Sequence, residues 1–328
     1  MKFAGPVLVT GAAGCIGAQI VSNLTRDGIE PIVFDKSEDR RRLKLSMEDP
    51  EQAADVTWVP GDLRDRAAVE AVMADHRVDA VIHLAALQVP FCNADPVLGA
   101  EVDVVGHVNV FEAARKLGVR KLVYASSVAA LPPEGGVWPA TLYGVYKLAD
   151  EGIADVYWNT WQVPSIGIRP HSVYGPGRDQ GVTAAPSKAM LAAAAGRRFT
   201  LPYGGTLMMQ HVSEVADAFI RSAGTKVQGA PVFDLAGEDT TMTEVAAAIK
   251  RFVPDADIKI GDVEIPFVAG LDDAGLRALV GEWPRVGLDA GVEKTVTAFR
   301  ILIQRGFVRA EDAYLTVLGE GHDPIYDS

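Results

Sequence analysis

The segment VLVTGAAGCIGAQIV, Val7 to Val21, constrains this chain more than any other stretch. It opens on four β-type residues, Val7, Leu8, Val9 and Thr10, then meets Gly11, Gly14 and Gly17 at three-residue intervals before a helical run. Missing Cβ atoms let an anion approach the backbone, and the amides of a helix start carry partial positive charge. The spacing therefore predicts a strand, a tight turn and a helix N-terminus that cradle a pyrophosphate, with Gly11, Gly14, Cys15, Ile16 and Gly17 at the turn. From Phe3 to Thr25 no side chain is charged, so a secretion signal or an anchor is the competing reading. Only Lys2 precedes Gly5 and Pro6, however, and glycines cut the apolar run, unlike a signal peptide. A spanning helix needs about 20 mostly apolar residues in one helical segment. The β-type start and three glycines deny it that.

The rest of the first half repeats the theme. Short β-branched runs at 6–10, 31–35, 56–60, 80–85, 121–127 and 165–170 alternate with helical spacing over 15–27, 64–76, 96–118 and 141–162. Continuous apolar strands mean burial on both faces, as in a parallel sheet covered by helices. The expected fold is α/β, a doubly wound parallel sheet with a smaller C-terminal substrate-binding lobe. Residues 1–170 are expected to form the dinucleotide domain, joined by a strand near 231–236, and 171–328 the interleaved lobe. Helices are expected at 184–198, at 213–223 with Ser213 as N-cap, at 242–252 and at 291–307.

Composition narrows the partners. With 31 Lys and Arg against 43 Asp and Glu the net charge is −12, which disfavours nucleic acid and anionic membrane surfaces. The one basic run, Arg40 to Arg42, reads as a solvated face. Two cysteines, Cys15 and Cys92, exclude a disulfide framework and point to a reducing cytoplasm. The six histidines show no metal-ligand spacing, so no metal is expected.

Three further features carry chemistry. Asp35 closes PIVFD, 24 residues after Gly11, where a carboxylate accepts hydrogen bonds from ribose hydroxyls and repels a 2′-phosphate. NAD is thus favoured over NADP, with Lys36 and Arg40 to Arg42 as the opposing signal. Asp62, in GDLRD, is placed for an adenine ring or as the N-cap of helix 64–76. Tyr143 and Lys147 stand four apart, on one face of a helix. A lysine cation beside a phenol stabilises phenolate and yields a general base near neutral pH. Ser127, at the end of the fifth strand, offers a hydroxyl to the reacting oxygen. Tyr146 has no lysine four residues on, because position 150 is Asp.

Together these motifs resemble the extended short-chain dehydrogenase/reductases, and among them the NAD-dependent epimerase/dehydratase family. The resemblance is carried by VTGAAGCIG, VFD, GDLRD, HLAA, LVYASS, YGVYK and IRPHSVYGPG, about residues 5 to 178. It implies a Rossmann sheet and NAD as cofactor. It also implies Asp62 and Leu63 at the adenine, and Ala85 and Ala86 along the cofactor. Pro170, His171 and Ser172 fall near the nicotinamide end, Ser127, Tyr143 and Lys147 match the catalytic trio, and Lys147 also holds the ribose. A homodimer is implied, through helices near 96–118 and 141–162.

Departures bear on substrate. The family usually has asparagine where this chain has Asp103, and its 4,6-dehydratases place an Asp-Glu pair where Val128 and Ala129 stand. Sugar-nucleotide epimerases usually carry a diphosphate-gripping arginine near the position of Leu207, and their later Arg-Pro-Gly-Asp element is missing, unless Arg178 or Arg197 and Arg198 substitute. Arg178, Gln180 and Gln88 are candidate substrate contacts. His211 is a weaker one and reads better as a packed strand residue. The expectation is an NAD-dependent oxidoreductase or epimerase acting on a hydroxyl carbon of a sugar, sugar acid or sugar nucleotide. A dehydrogenase on a substrate without nucleotide is slightly favoured, with a nucleotide-sugar 4-epimerase as alternative. The alternative of another class is a non-catalytic NAD-sensing regulator.

Overall fold

The computed structural model describes residues 3–264, 268 and 270–309. The chain divides into two compact units. The first takes the residues up to Pro170 with Val215–Leu235 and Leu271–Trp283; the second takes His171–Glu214, Ala236–Gly270 and Pro284 onward.

Seven strands build the sheet of the first unit: β1 (Val7–Thr10), β2 (Pro31–Asp35), β3 (Thr57–Pro60), β4 (Ala80–His83), β5 (Leu122–Ala125), β6 (Ile166–Arg169) and, from later in the chain, Val232–Asp234. Their spatial order is Val232–Asp234, β6, β5, β4, β1, β2, β3, and every pair is parallel. Strand β1 lies between β2 and β4, so the chain winds outward in both directions from it. Val7, Leu8 and Val9 are wholly buried, which explains why these strands read as unbroken apolar runs. Val69 and Val72 of helix Arg66–Asp75 and Val110 and Phe111 of helix Gly106–Leu117 join the core with Leu8, Ile32 and Tyr124. Arg169 ties the sheet to helix Leu142–Trp161 through a bidentate pair with Glu151 (2.7 and 2.6 Å) and reaches Asp234 at 3.2 Å.

The second unit contains sheet that the periodicity of residues 171–264 does not reveal. Strands β7 (Ser172–Tyr174), β8 (Phe199–Leu201) and β9 (Thr206–His211) are followed by Glu238–Thr241 and Ile258–Ile260. They form a three-stranded sheet centred on β9 and a separate pair of Ile258–Ile260 with β8. Most are only three residues long, too short for an alternating pattern to show. Strand β9 runs straight into helix Val212–Ala223, leaving no residue for a cap. Ser213 therefore sits inside the first turn, bonded to His211 Nδ1 at 2.7 Å, and is not the expected N-cap.

Other expectations need correction. The helix expected over 96–118 is Pro96–Ala100, a π-helical turn Glu101–Val105 and Gly106–Leu117. Asp65, not Asp62, caps Arg66–Asp75, its carboxylate accepting the amides of Ala67 and Ala68. The run Arg40 to Arg42 is no solvated face. Arg40 donates to the carbonyls of Ala53, Ala54 and Val56, Arg42 donates to Ala13 O at 2.7 Å, and Arg41 pairs with Asp39. No described helix is long and apolar enough to cross a membrane.

Candidate active site

At the carboxyl end of β1 the chain turns through Gly11, whose φ of +74° suits glycine. A Cβ there would lie 2.6 Å from Ala85 N, and one at Gly17 would lie 2.5 Å from Gly11 O. The two glycines thus let the loop pack on the segment after β4 and let helix Cys15–Arg26 start tight against the loop. Gly14 is the N-cap, and no side chain caps that end. A helix start with no side-chain cap, at the end of the sheet's central strand, fits a pyrophosphate. Thr10 Oγ1 accepts the amides of Leu84 and Ala85 at 3.2 Å each, fixing Ala85 and Ala86 beside the loop.

Asp35 stands at the end of β2 with each oxygen on an amide, Ala13 N and Ser37 N, both at 2.9 Å. The carboxylate is thereby locked to the glycine loop and keeps lone pairs for two hydroxyls. Burial raises its pKa, while those amides and the Arg42 cation pull it back down. Asp62 pairs with Arg64 at 2.8 Å, which holds its carboxyl below the ordinary range, and Arg64 also reaches Glu101 at 3.0 Å. Leu63 is buried, and its carbonyl accepts Asn109 Nδ2 at 2.8 Å.

Thr141 caps helix Leu142–Trp161 through the Gly144 amide, setting the start of the helix that carries Tyr143 and Lys147. Lys147 Nζ lies 5.9 Å from the Tyr143 ring centroid. Tyr143 is half-buried, whereas Tyr146 turns away and donates to Pro96 O at 2.9 Å. Lys147 is buried and salt-bridged to Asp150 at 3.2 Å. Burial alone would lower its pKa, but Asp150, Tyr143 and Asp103 more than offset this and hold it raised. The lysine is therefore a permanent cation.

Ser127 lies two residues past β5, not within it, and caps the short 3₁₀ turn Val128–Ala130 by accepting Ala129 N at 3.1 Å. Its neighbour Ser126 points the other way, donating to Glu151 at 2.5 Å inside the core. The two adjacent serines are thereby separated into one packed and one half-exposed hydroxyl.

The first unit thus brings together Gly11, Gly14, Gly17, Asp35, Ala85 and Ala86, and sets Tyr143 beside Lys147. Gln88 stands at the N-cap position of Val89–Ala94 without a side-chain capping bond, and the Pro170 carbonyl accepts the Val128 amide. His171, Ser172, Arg178 and Gln180 belong to the second unit. There His171 bonds Val268 O at 2.7 Å and Ser172 Oγ at 3.1 Å, and Arg178 donates to Thr183 at 2.9 Å. His211 closes β9 and is packed, as expected of a strand residue. Residues missed at sequence level are Asp150, His83 and His107. The signal for Asp150 was its i, i+3 spacing from Lys147; the two histidines gave none.

A doubly wound sheet with a bare helix start after its first strand and a Tyr-x-x-x-Lys helix defines an extended short-chain dehydrogenase/reductase. A sequence profile described as the NAD dependent epimerase/dehydratase family matches residues 7–236. A UDP-glucose 4-epimerase of Mycolicibacterium smegmatis is 34% identical over 316 residues, 89% of this chain and 98% of that one. The crystal structure of the UDP-glucose 4-epimerase of Thermus thermophilus with NAD superposes with a TM-score of 0.76 at 28% identity, covering 90% of this chain and 99% of that one. An L-threonine dehydrogenase from Clostridium difficile shares the fold, with a TM-score of 0.79 over 93% of this chain and 100% of that one, at only 20% identity. The chain belongs to the NAD dependent epimerase/dehydratase family and is an enzyme of the epimerase/dehydrogenase type. Its relatives favour the nucleotide-sugar 4-epimerase alternative over the leaning toward a dehydrogenase without nucleotide, because the likeness runs the full length of such an epimerase.

Proposed function

We propose that the protein is an NAD-dependent 4-epimerase of a nucleotide sugar. The observation that carries the reading is the match to a UDP-glucose 4-epimerase over 98% of that enzyme's length. The glycine turn, the open helix start and Asp35 fit NAD. Gly11, Gly14, Cys15, Ile16 and Gly17 would hold its pyrophosphate, Asp35 its adenosine ribose, Asp62 and Leu63 its adenine, and Lys147 its other ribose. Ala85, Ala86, Pro170, His171 and Ser172 would line the rest. When bound, NAD supplies a reversible acceptor for the hydrogen on the substrate's carbinol carbon.

Tyr143 takes the proton from the substrate hydroxyl, and Lys147 holds the phenolate in place by charge. Ser127, whose oxygen already accepts the Ala129 amide, uses its own hydrogen to steady the substrate oxygen. Were the hydride (the hydrogen with its electron pair) handed back to the opposite face of the carbinol carbon, the centre would invert, with Tyr143 returning its proton to the oxygen. Gln88, Arg178 and Gln180 are the proposed substrate contacts.

Incubation with UDP-glucose or UDP-galactose, followed by proton NMR, should show the other epimer forming while NAD stays with the protein. One observation favours a second reading, a dehydrogenase on a sugar acid: Leu207, near the usual arginine position, is buried and uncharged. Release of NADH on sugar acids, with no epimer of the nucleotide sugar, would decide for it.

The reading includes a cytoplasmic homodimer. Val97 and Val105 before helix Gly106–Leu117, and Val145 and Val156 on helix Leu142–Trp161, are between 40% and 69% exposed, an apolar content suited to a two-fold partner. Light scattering after gel filtration should give twice the chain mass of 34.9 kDa; a monomer at micromolar concentration removes this part.

A further inference from the structure

The basic run after β2 has no part in the chemistry above, yet Arg42 reaches the glycine turn. It is half-buried in the short helix Arg41–Ser46, whose Leu43 and Leu45 are buried. That helix packs against helix Cys15–Arg26, and Ser22 Oγ donates to Ser46 O at 2.8 Å across the contact. From this base Arg42 Nη1 donates to Ala13 O at 2.7 Å. Its two neighbours are engaged elsewhere. Arg40 donates to the carbonyls of Ala53, Ala54 and Val56 and stands 5.1 Å from the centre of the Trp58 ring. Arg41 pairs with Asp39 at 2.7 Å.

Ala13 is thereby held from two sides. Its N–H donates to Asp35 Oδ2 at 2.9 Å, and its carbonyl accepts Arg42. A peptide unit is planar, so a bond to one of its polar groups also aims the other. With the Ala13 carbonyl turned to Arg42, the N–H of Gly14 points the opposite way and donates to Gly11 O at 3.0 Å. Glycine leaves a backbone many conformations to lose, and Gly11 and Gly14 flank this stretch. Asp35 and Arg42 together fix both peptide planes next to Ala13, immediately before the first turn of helix Cys15–Arg26.

We propose that Arg42 is a positioning residue of the cofactor site, holding the Ala13 carbonyl so that the glycine turn keeps the shape that takes the NAD pyrophosphate. The inference rests on the placement of NAD at this turn. A turn fixed in advance spares the ordering cost that a loose glycine loop would meet on binding. The guanidinium also brings a positive charge to a loop meant for a diphosphate. The cation that opposes NAD in the residue order is thus used on the loop itself and not on a 2′-phosphate.

The test is Arg42→Met in the full chain, isolated with its cofactor. Exchange of bound NAD against excess NADH, followed by the fluorescence of bound NADH, gives the release rate. Release should quicken by about 10- to 100-fold, the worth of a hydrogen bond to a charged group. At saturating NAD, kcat should stay within about twofold of the parent's, since the turn holds cofactor and moves no proton. Arg42→Lys should fall between the two, because a point-like ammonium does not reproduce a planar guanidinium. Release at the parent rate overturns the proposal, as does a lower thermal midpoint with release unchanged. So does NADP binding that weakens while NAD binding does not, which would make Arg42 a phosphate ligand. If Arg42→Met does not fold, Arg42→Lys decides: release faster than the parent's supports the proposal, and release equal to it overturns it. Asp35→Ala separates the two readings. Parent-like release in both variants sinks the placement of NAD at this turn, whereas parent-like release in Arg42→Met beside fast release in Asp35→Ala sinks only the role of Arg42.

Discussion

Replacing Tyr143 by Phe is expected to lower kcat by about 10²- to 10⁴-fold, the usual loss on removing a positioned general base. The change deletes one oxygen from a half-buried ring and leaves Lys147, Asp150 and the glycine loop as they are, so NAD should be retained. Steady-state turnover of the nucleotide sugar, with cofactor content read from denatured protein, gives both quantities. Turnover within threefold of the parent would remove Tyr143 from the mechanism. A variant that binds NAD and leaves the protein's biological output intact would instead favour an NAD-sensing regulator.

Lys147→Met should damage the fold as well as the chemistry. It strips the cation from a site where Asp150 and Asp103 are both buried, and breaking a buried pair by removing one partner costs about 3–5 kcal/mol. The loss should depend on pH in a defined sense. Carboxyls whose pKa is raised in the folded state keep their stability contribution below the ordinary value of about 4 and lose it as pH climbs through the folded value. In the parent that value is about 6 for each aspartate, and without Lys147 it must rise further. The variant's deficit in melting temperature should therefore be larger at pH 8 than at pH 5. Thermal denaturation of both proteins at the two pH values checks this; an equal deficit at both would mean that the carboxylates do not depend on the lysine.

Much of the first unit is legible from residue order, because each of its signals is local. A buried parallel strand must be apolar throughout, and a phosphate turn must lack Cβ atoms. A phenol and an ammonium meet on a helix only at certain spacings. The second unit is less legible. Its strands are three to six residues long, and Leu207, which reads as a missing arginine, is a buried strand residue. The basic run at Arg40 misleads for a related reason: charge suggests solvent, whereas Arg40 and Arg42 are bound by backbone carbonyls brought near only by folding. The same holds for Ser126 and Ser127, identical in sequence and separated only by which way each hydroxyl points.

From its order of residues alone, this chain determines the glycine-bearing strand–turn–helix after β1 and the i, i+4 placement of Tyr143 and Lys147, since both follow from periods of the backbone itself. Tertiary structure alone decides that Lys147 is buried with Asp150 as its ion-pair partner, and that Asp35 is fastened to the glycine loop through Ala13. The latter joins residues 22 positions apart, and the former depends on how deeply a helix face is buried. The strength of a charge in such a place follows from its distance to water, which no local pattern records.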